Sequence, residues 1–174
     1  MADGAALIRK AVDLCYAPLL RYAISLSKNE SLARDAVQES FLRLMNEIKK
    51  REVKHPKAWL FAVCRNRIFD EFKRSKRYEN VGESCDFPGS DNYGARLRPD
   101  KNAEISDGAD RAEMLTQKLS PKERELVRLK FQCGFSYAQM AEIMSLTPSN
   151  VGATLHNAVK NLRTMFFEGE KVNR

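Results

Sequence analysis

The chain has little with which to build a metal site, a membrane anchor or a disulfide framework. Its four cysteines, Cys15, Cys64, Cys85 and Cys133, stand far apart with no CxxC clip, and its two histidines, His55 and His156, are not near them in sequence. Zinc sites need ligands paired at short spacing, so neither a metal site nor a cofactor is expected. No stretch approaches the ~18 consecutive apolar residues of a bilayer span, so no membrane insertion is expected. Met1 to Lys10 has no long apolar core and no cleavage signal, and unpaired thiols fit a reducing cytoplasm. A nucleophile–base pair, a glycine-rich phosphate loop and a carboxylate constellation with metal spacing are all missing, which argues against an enzyme.

What is present is charge, and it is segregated. The 174 residues are 43% apolar and 30% charged, the balance of a globular protein, with a net charge of +7. Residues 49–77 carry eleven basic and three acidic side chains, a local excess of +8. Residues 78–110 carry three basic and eight acidic ones, a local excess of −5. Residues 111–174 return to ten and six. A uniformly solvated surface would not sort charge into blocks, and a basic block is the footprint of an anionic partner such as nucleic acid.

Hydrophobic periodicity predicts an all-α protein of two small helical domains joined by a flexible linker. A first helix is expected from about Ala5 to Leu26, kinked or broken at Pro18, which lacks an N–H and clashes with the preceding turn. A second runs from Glu30 to Ile48 behind Asn29 as N-cap, with Ala33, Val37, Phe41, Leu44 and Ile48 as its apolar stripe. A third opens at Pro56 and ends near Arg77, burying Leu60, Cys64, Ile68 and Phe72. Residues 78–110 show no sustained period and hold four of the eight glycines and two of the six prolines, which reads as a linker. The expected domains are therefore 1–77 and 111–174.

The second domain is punctuated by caps. A short segment, Asp110 to Leu119, leads into Ser120-Pro121-Lys122-Glu123, a capping box that opens a helix ended by Gly134. Ser136-Tyr137-Ala138-Gln139 is another box, opening a short helix to about Met144. Thr147-Pro148 then starts a longer helix whose inner stripe is predicted as Val151, Leu155, Ala158, Val159, Leu162 and Phe166. A short helix, a tight turn and a longer helix is the helix-turn-helix pattern, whose second helix fits a DNA major groove. Spacing alone equally describes an ordinary helical hairpin.

Several segments together resemble the extracytoplasmic-function class of bacterial RNA polymerase sigma factors. They are Tyr16-Ala17-Pro18-Leu19-Leu20-Arg21-Tyr22 with Asp35-Ala36-Val37-Gln38-Glu39-Ser40-Phe41-Leu42-Arg43-Leu44. Next come Ala58-Trp59-Leu60-Phe61-Ala62-Val63-Cys64-Arg65-Asn66 with Asp70 and Lys73-Arg74, then Leu119-Ser120-Pro121-Lys122-Glu123-Arg124 with the helix pair from Ser136 to Phe166. The resemblance covers residues 5–77 and 111–167. It implies a region-two-like domain that binds core RNA polymerase and opens the minus-ten element of promoter DNA. It also implies a region-four-like domain that reads the minus-thirty-five element, a linker that threads toward the polymerase cleft, and an anti-sigma factor as a further possible partner.

Residue by residue, the resemblance assigns polymerase contact to Asp35, Gln38, Glu39, Phe41 and Arg43. It assigns the minus-ten strand to Arg51, Lys54, His55, Lys57, Trp59, Arg65, Asn66, Asp70, Lys73 and Arg74. The physical case is an aromatic for stacking, cations for phosphates and an amide for base edges, which is what gripping a single strand requires. From its position alone, a lone tryptophan at a helix start such as Trp59 reads first as core. The duplex element falls to Ser136, Ser149, Asn150, Gly152, Ala153, Thr154, His156, Asn157 and Lys160. Gly152, Thr154 and Asn157 stand where relatives tend to carry Lys or Arg, so this helix should attract phosphates less. Two other readings fit parts of the chain. A stand-alone helix-turn-helix repressor leaves the first 77 residues without a role, and a sigma-like decoy that only binds an anti-sigma factor leaves the basic block 49–77 without one.

Overall fold

In the computed structural model the described residues are 2–78 and 114–172, and among them every regular element is helical. The chain divides into two compact units, the first built on three helices and the second on most of the chain after residue 114. The acidic segment expected at 78–110 lies outside the described residues from position 79 onward, as does the start of the segment expected from Asp110.

Helix α1 (Ala2–Ser27) runs through Pro18 without a break, so of the kink or break expected there the break is corrected. The proline deprives the Leu14 carbonyl of a donor, but Leu14 is an exposed residue, so water can serve that oxygen. Ala11, Cys15, Leu19, Tyr22, Ala23 and Leu26 are buried on both sides of Pro18, and their shared face keeps the helix continuous. Lys28 reverses the chain at φ 55°. Helix α2 (Glu30–Ile48) then starts on Asn29, whose side-chain oxygen accepts from the Leu32 N–H at 3.1 Å. Its buried stripe is Ala33, Ala36, Val37, Ser40, Phe41 and Leu44. The Ser40 hydroxyl is satisfied inside the core by donating to the Ala36 carbonyl at 2.6 Å.

Helix α3 (Pro56–Tyr78) is entered from His55, whose carbonyl accepts the Trp59 N–H at 3.0 Å. Ala58, Leu60, Phe61, Cys64 and Ile68 are buried, and the rings of Phe61 and Tyr22 meet at 5.0 Å between centroids. Each helix gives one face to a common three-helix core. Burial pushes the Cys64 thiol up to about 12, and Ser40 beside it opposes the shift only in part. Cys15 is raised in the same way, with Lys57 opposing. Both are inert small hydrophobes at neutral pH.

In the second unit a helical turn at 114–117 precedes α4 (Pro121–Val127), and the Ser120–Glu123 capping box is fully formed. Arg124 is buried, and its guanidinium donates to the carbonyls of Thr116, Gln117 and Leu119. One cation thus ties the preceding turn to α4 through three carbonyls, of which that of Thr116 also accepts the Leu119 N–H at 3.2 Å. After α4 the backbone widens into a π-helical stretch, Arg128–Gln132, in which the Cys133 N–H reaches back to the Arg128 carbonyl at 3.1 Å. Periodicity did not reveal this stretch. Gly134, at φ 71°, ends it, and the Phe135 N–H bonds the Leu129 carbonyl at 3.1 Å.

Helix α5 (Tyr137–Met144) and helix α6 (Pro148–Val172) come next. The turn between them carries Ser145 at φ 55°, and the Leu146 N–H bonds the Ala141 carbonyl at 2.9 Å. Val151, Leu155 and Ala158 are the buried side of α6. Val159 and Phe166, expected on that inner stripe, are instead 41% and 40% exposed. The fully buried stripe covers the first half of the helix; past Ala158, Leu162 is half-buried and Asn161 donates to Glu123 of α4 at 3.4 Å.

Candidate functional site

The outer face of α2 is a set of side chains that the core does not use. Asp35 and Gln38 are exposed, and Asp35 makes no ion pair among the described residues. Leu42 and Met45 stand on the same face at the helical spacing i+4 and i+7 from Gln38, 53% and 42% exposed. Neither was singled out from the sequence, although exposed apolar residues beside an acid are what a protein-binding face looks like. Phe41 does not belong to this face. It is buried, with its ring 6.3 Å from that of Tyr16, and its i+4 spacing from Val37 puts it on the stripe.

Glu39 and Arg43 are also less available than their spacing implied. Arg43 bonds Glu39 within α2, and Arg67 of α3 donates its Nε to the other Glu39 oxygen at 2.7 Å. Burial pushes the Glu39 carboxyl up, but the bonds from Arg67 and Arg43 outweigh it and leave the group below the usual carboxylate range. Glu39 is therefore anionic at neutral pH and already neutralised from inside the fold.

On α3 the predicted face holds together. Asn66, Asp70 and Lys73 are exposed along one side, and Trp59, two turns earlier on that side, is half-buried. Trp59 is thus neither the core residue of one reading nor a free platform. Arg65, also half-buried, lies 4.4 Å from the centroid of the Phe69 ring, a cation–π contact that flattens it against the helix. Arg74 is exposed and 3.8 Å from Glu71. In the preceding loop Arg51, Lys54 and His55 are exposed, as is Lys57 in the first turn of α3, with Arg51 paired to Glu47. The first unit therefore presents an acidic and apolar helix face on α2 and a cationic, aromatic face on α3 with its loop.

In the second unit Ser136 caps α5: its Oγ accepts the Gln139 N–H at 3.2 Å, while the Gln139 side chain accepts the Ser136 N–H at 3.0 Å. Thr147 caps α6 by accepting the Asn150 N–H at 3.2 Å. Ser149, Asn150, Ala153, His156, Asn157 and Lys160 are exposed, and Gly152 and Thr154 are half-buried. Asn150 Oδ1 accepts from Thr154 at 3.1 Å and from Lys122 at 3.4 Å, so this amide is oriented before any ligand arrives. Gly152 faces the Tyr137 ring of α5, which makes it part of the helix–helix contact. The exposed row is polar and short of cations, as the sequence implied.

The sequence matches the sigma-70 region 2 family model over residues 12–78 and the sigma-70 region 4 model over residues 109–162. It is 37% identical to the ECF RNA polymerase sigma factor SigL of Mycobacterium tuberculosis, over 93% of this chain and 90% of that protein. The chain belongs to the extracytoplasmic-function sigma factors. It is a transcription initiation factor of that class. The ECF RNA polymerase sigma factor SigM of Bacillus subtilis is 28% identical over 86% of this sigma factor and 88% of its own length. The solved structure of sigma factor RpoE with the anti-sigma factor NepR from Bartonella quintana has the same fold, with a TM-score of 0.62 at 24% identity over 95% and 98% of the two chains. That of CnrH with the cytosolic domain of CnrY has a TM-score of 0.60 at 20% identity, covering 96% and 94%. Among the described residues of this sigma factor, no helix is long and apolar enough to cross a membrane, and no group of three or more potential ligands is placed to hold a metal ion.

Proposed function

We propose that residues 1–77 dock on core RNA polymerase through the outer face of α2 and hold the separated minus-ten strand on α3 and the 49–57 loop. Residues 111–174 read duplex DNA at the minus-thirty-five element through α6. The observation that carries this reading is the exposed side of α3, where Trp59, Asn66, Asp70 and Lys73 align beside the exposed cations of the loop. Stacking, base-edge reading and phosphate attraction are then available on one surface. On α2 the contact rests on Asp35 and Gln38 with Leu42 and Met45, while Glu39 and Arg43 are engaged within the protein. The factor performs no chemistry of its own and works in the cytoplasm, where polymerase and promoters are.

The acidic segment 78–110 fits the positively lined cleft of an enzyme built to hold nucleic acid. Replacing its eight acids by Asn or Gln at constant length is expected to change the ratio of abortive to full-length transcripts. A segment serving as a tether alone would leave that ratio unchanged. Two structural neighbours were solved with an anti-sigma factor or with the cytosolic domain of CnrY, which supports regulation of this chain by a sequestering protein.

The test is competition for core polymerase followed by run-off transcription. Asp35→Arg combined with Gln38→Ala is expected to weaken polymerase binding at unchanged helicity, and unchanged affinity would overturn the docking face. Asn66→Ala is expected to shift base preference on forked DNA more than overall affinity, because an amide reads edges without charge. Equal losses on every sequence would remove Asn66 from the reading surface.

A further inference from the structure

Arg67 follows Asn66 on α3 and was not among the residues assigned to DNA. Its Nε donates to Glu39 on α2 and its Nη1 to Glu71 on α3, both at 2.7 Å. Arg43 bonds Glu39 from one end and Arg74 approaches Glu71 at 3.8 Å from the other. A chain of five charges thus runs from the helix that faces polymerase to the helix that faces DNA. Its members are not locked in. Arg67 is 23% exposed and Glu39 36%, and ion pairs this open to water exchange readily with competing charges. A basic protein surface arriving at α2 competes for Glu39. A phosphate arriving at α3 competes for Arg67.

We propose that Arg67 is a phosphate-binding residue for the separated DNA strand, held by Glu39 and Glu71 in the free protein and loosened when a basic polymerase surface takes Glu39. The inference rests on the reading of α2 as the polymerase face. The coupling is reciprocal: a strand that takes Arg67 frees Glu39 for polymerase, so each ligand raises the affinity for the other. Binding to promoter DNA is thereby weakened until polymerase is present, through one side chain and without a change of fold.

The experiment uses the full chain without polymerase and a fluorescein-labelled single-stranded oligodeoxynucleotide of mixed sequence. Glu39→Ala is expected to raise its affinity three- to tenfold. It is also expected to steepen the log–log salt dependence by about 0.7, the share of one further phosphate on a single strand. Glu30→Ala removes the same charge from the same helix but frees Arg34, and it is expected to change affinity less than twofold. Arg67→Gln alone is expected to leave the free protein's affinity within twofold, and in the Glu39→Ala background to abolish the gain. With core polymerase added, Arg67→Gln is expected to weaken binding to a pre-melted promoter about fivefold. Equal gains from Glu39→Ala and Glu30→Ala, an unchanged salt slope, or a gain that survives Arg67→Gln would each overturn the proposal. Should Arg67→Gln lose helicity, the salt slope of Glu39→Ala decides alone. These free-protein measurements do not involve polymerase, so failure of the α2 docking face, read from the Asp35→Arg competition, is distinguished from failure of the Arg67 mask.

Discussion

A Cβ built on Gly152 would lie 3.7 Å from the Tyr137 ring, an ordinary van der Waals distance. The glycine is therefore not required by space, and its φ is not in the left-handed region. Gly152→Ala is expected to stabilise the second unit by about 1 kcal/mol, the helix-propensity difference between the two residues. Urea denaturation followed by circular dichroism measures it. A loss of stability would mean that α5 and α6 pack more closely than their geometry indicates.

Phe41 and Asp35 separate core from surface on one helix. Phe41→Ala is expected to cost about 3–5 kcal/mol, the usual range for emptying a buried aromatic site, and to lower the melting temperature of the first unit sharply. Asp35→Ala is expected to stay within about 0.5 kcal/mol, as surface changes do. Thermal melts of the two variants side by side check the contrast, and similar melting temperatures would contradict the placement of Phe41.

Arg124→Ala removes the guanidinium bonds to the carbonyls of Thr116, Gln117 and Leu119, the first of which keeps the Leu119 N–H. A destabilisation of about 3 kcal/mol is expected, since bonds to a charged group are the stronger kind and the carbonyls lie near the core. Arg124→Lys should recover little of it, because an ammonium cannot span three acceptors as a planar guanidinium does. Full stability in the Lys variant would show that charge matters there and geometry does not.

Glu39 gives the acid limb of stability. Its folded pKa lies below its unfolded value of about 4.3, so the contribution is complete above that value and is lost as pH falls through the lower folded one. Between pH 6 and pH 3 the wild-type chain is expected to lose more stability than Glu39→Gln. Parallel curves from urea unfolding would mean that the bond to Arg67 contributes nothing.

Much of this was legible in the residues, for reasons that differ by element. Asn29 and Pro56 marked the starts of α2 and α3 because caps and first-turn prolines act locally. The Ser120, Ser136 and Thr147 caps did the same in the second unit. Pro18 misled, since a local penalty on one carbonyl was outweighed by the burial of Cys15, Leu19 and Tyr22 on either side of it. Val159 and Phe166 misled in the opposite way. Periodicity states which side of a helix is apolar but not how far along it a neighbour extends. Glu39 and Arg67 are 28 positions apart, and no spacing rule links them. The exposed side of α3 was readable because its members recur on one helix.

The π-helical stretch Arg128–Gln132 has a consequence for how the protein tolerates change in length. A π turn is an α-helix carrying one surplus residue. Deleting one residue there would let ordinary i→i−4 bonding close, and because the wide turn already absorbs the extra residue, the chain beyond it would keep its phase. The Gly134 corner would then launch α5 and α6 in the same direction. The same deletion within Pro121–Val127 would instead turn everything after it by about 100° about the helix axis. A one-residue deletion in the wide turn should therefore be less damaging than one in α4.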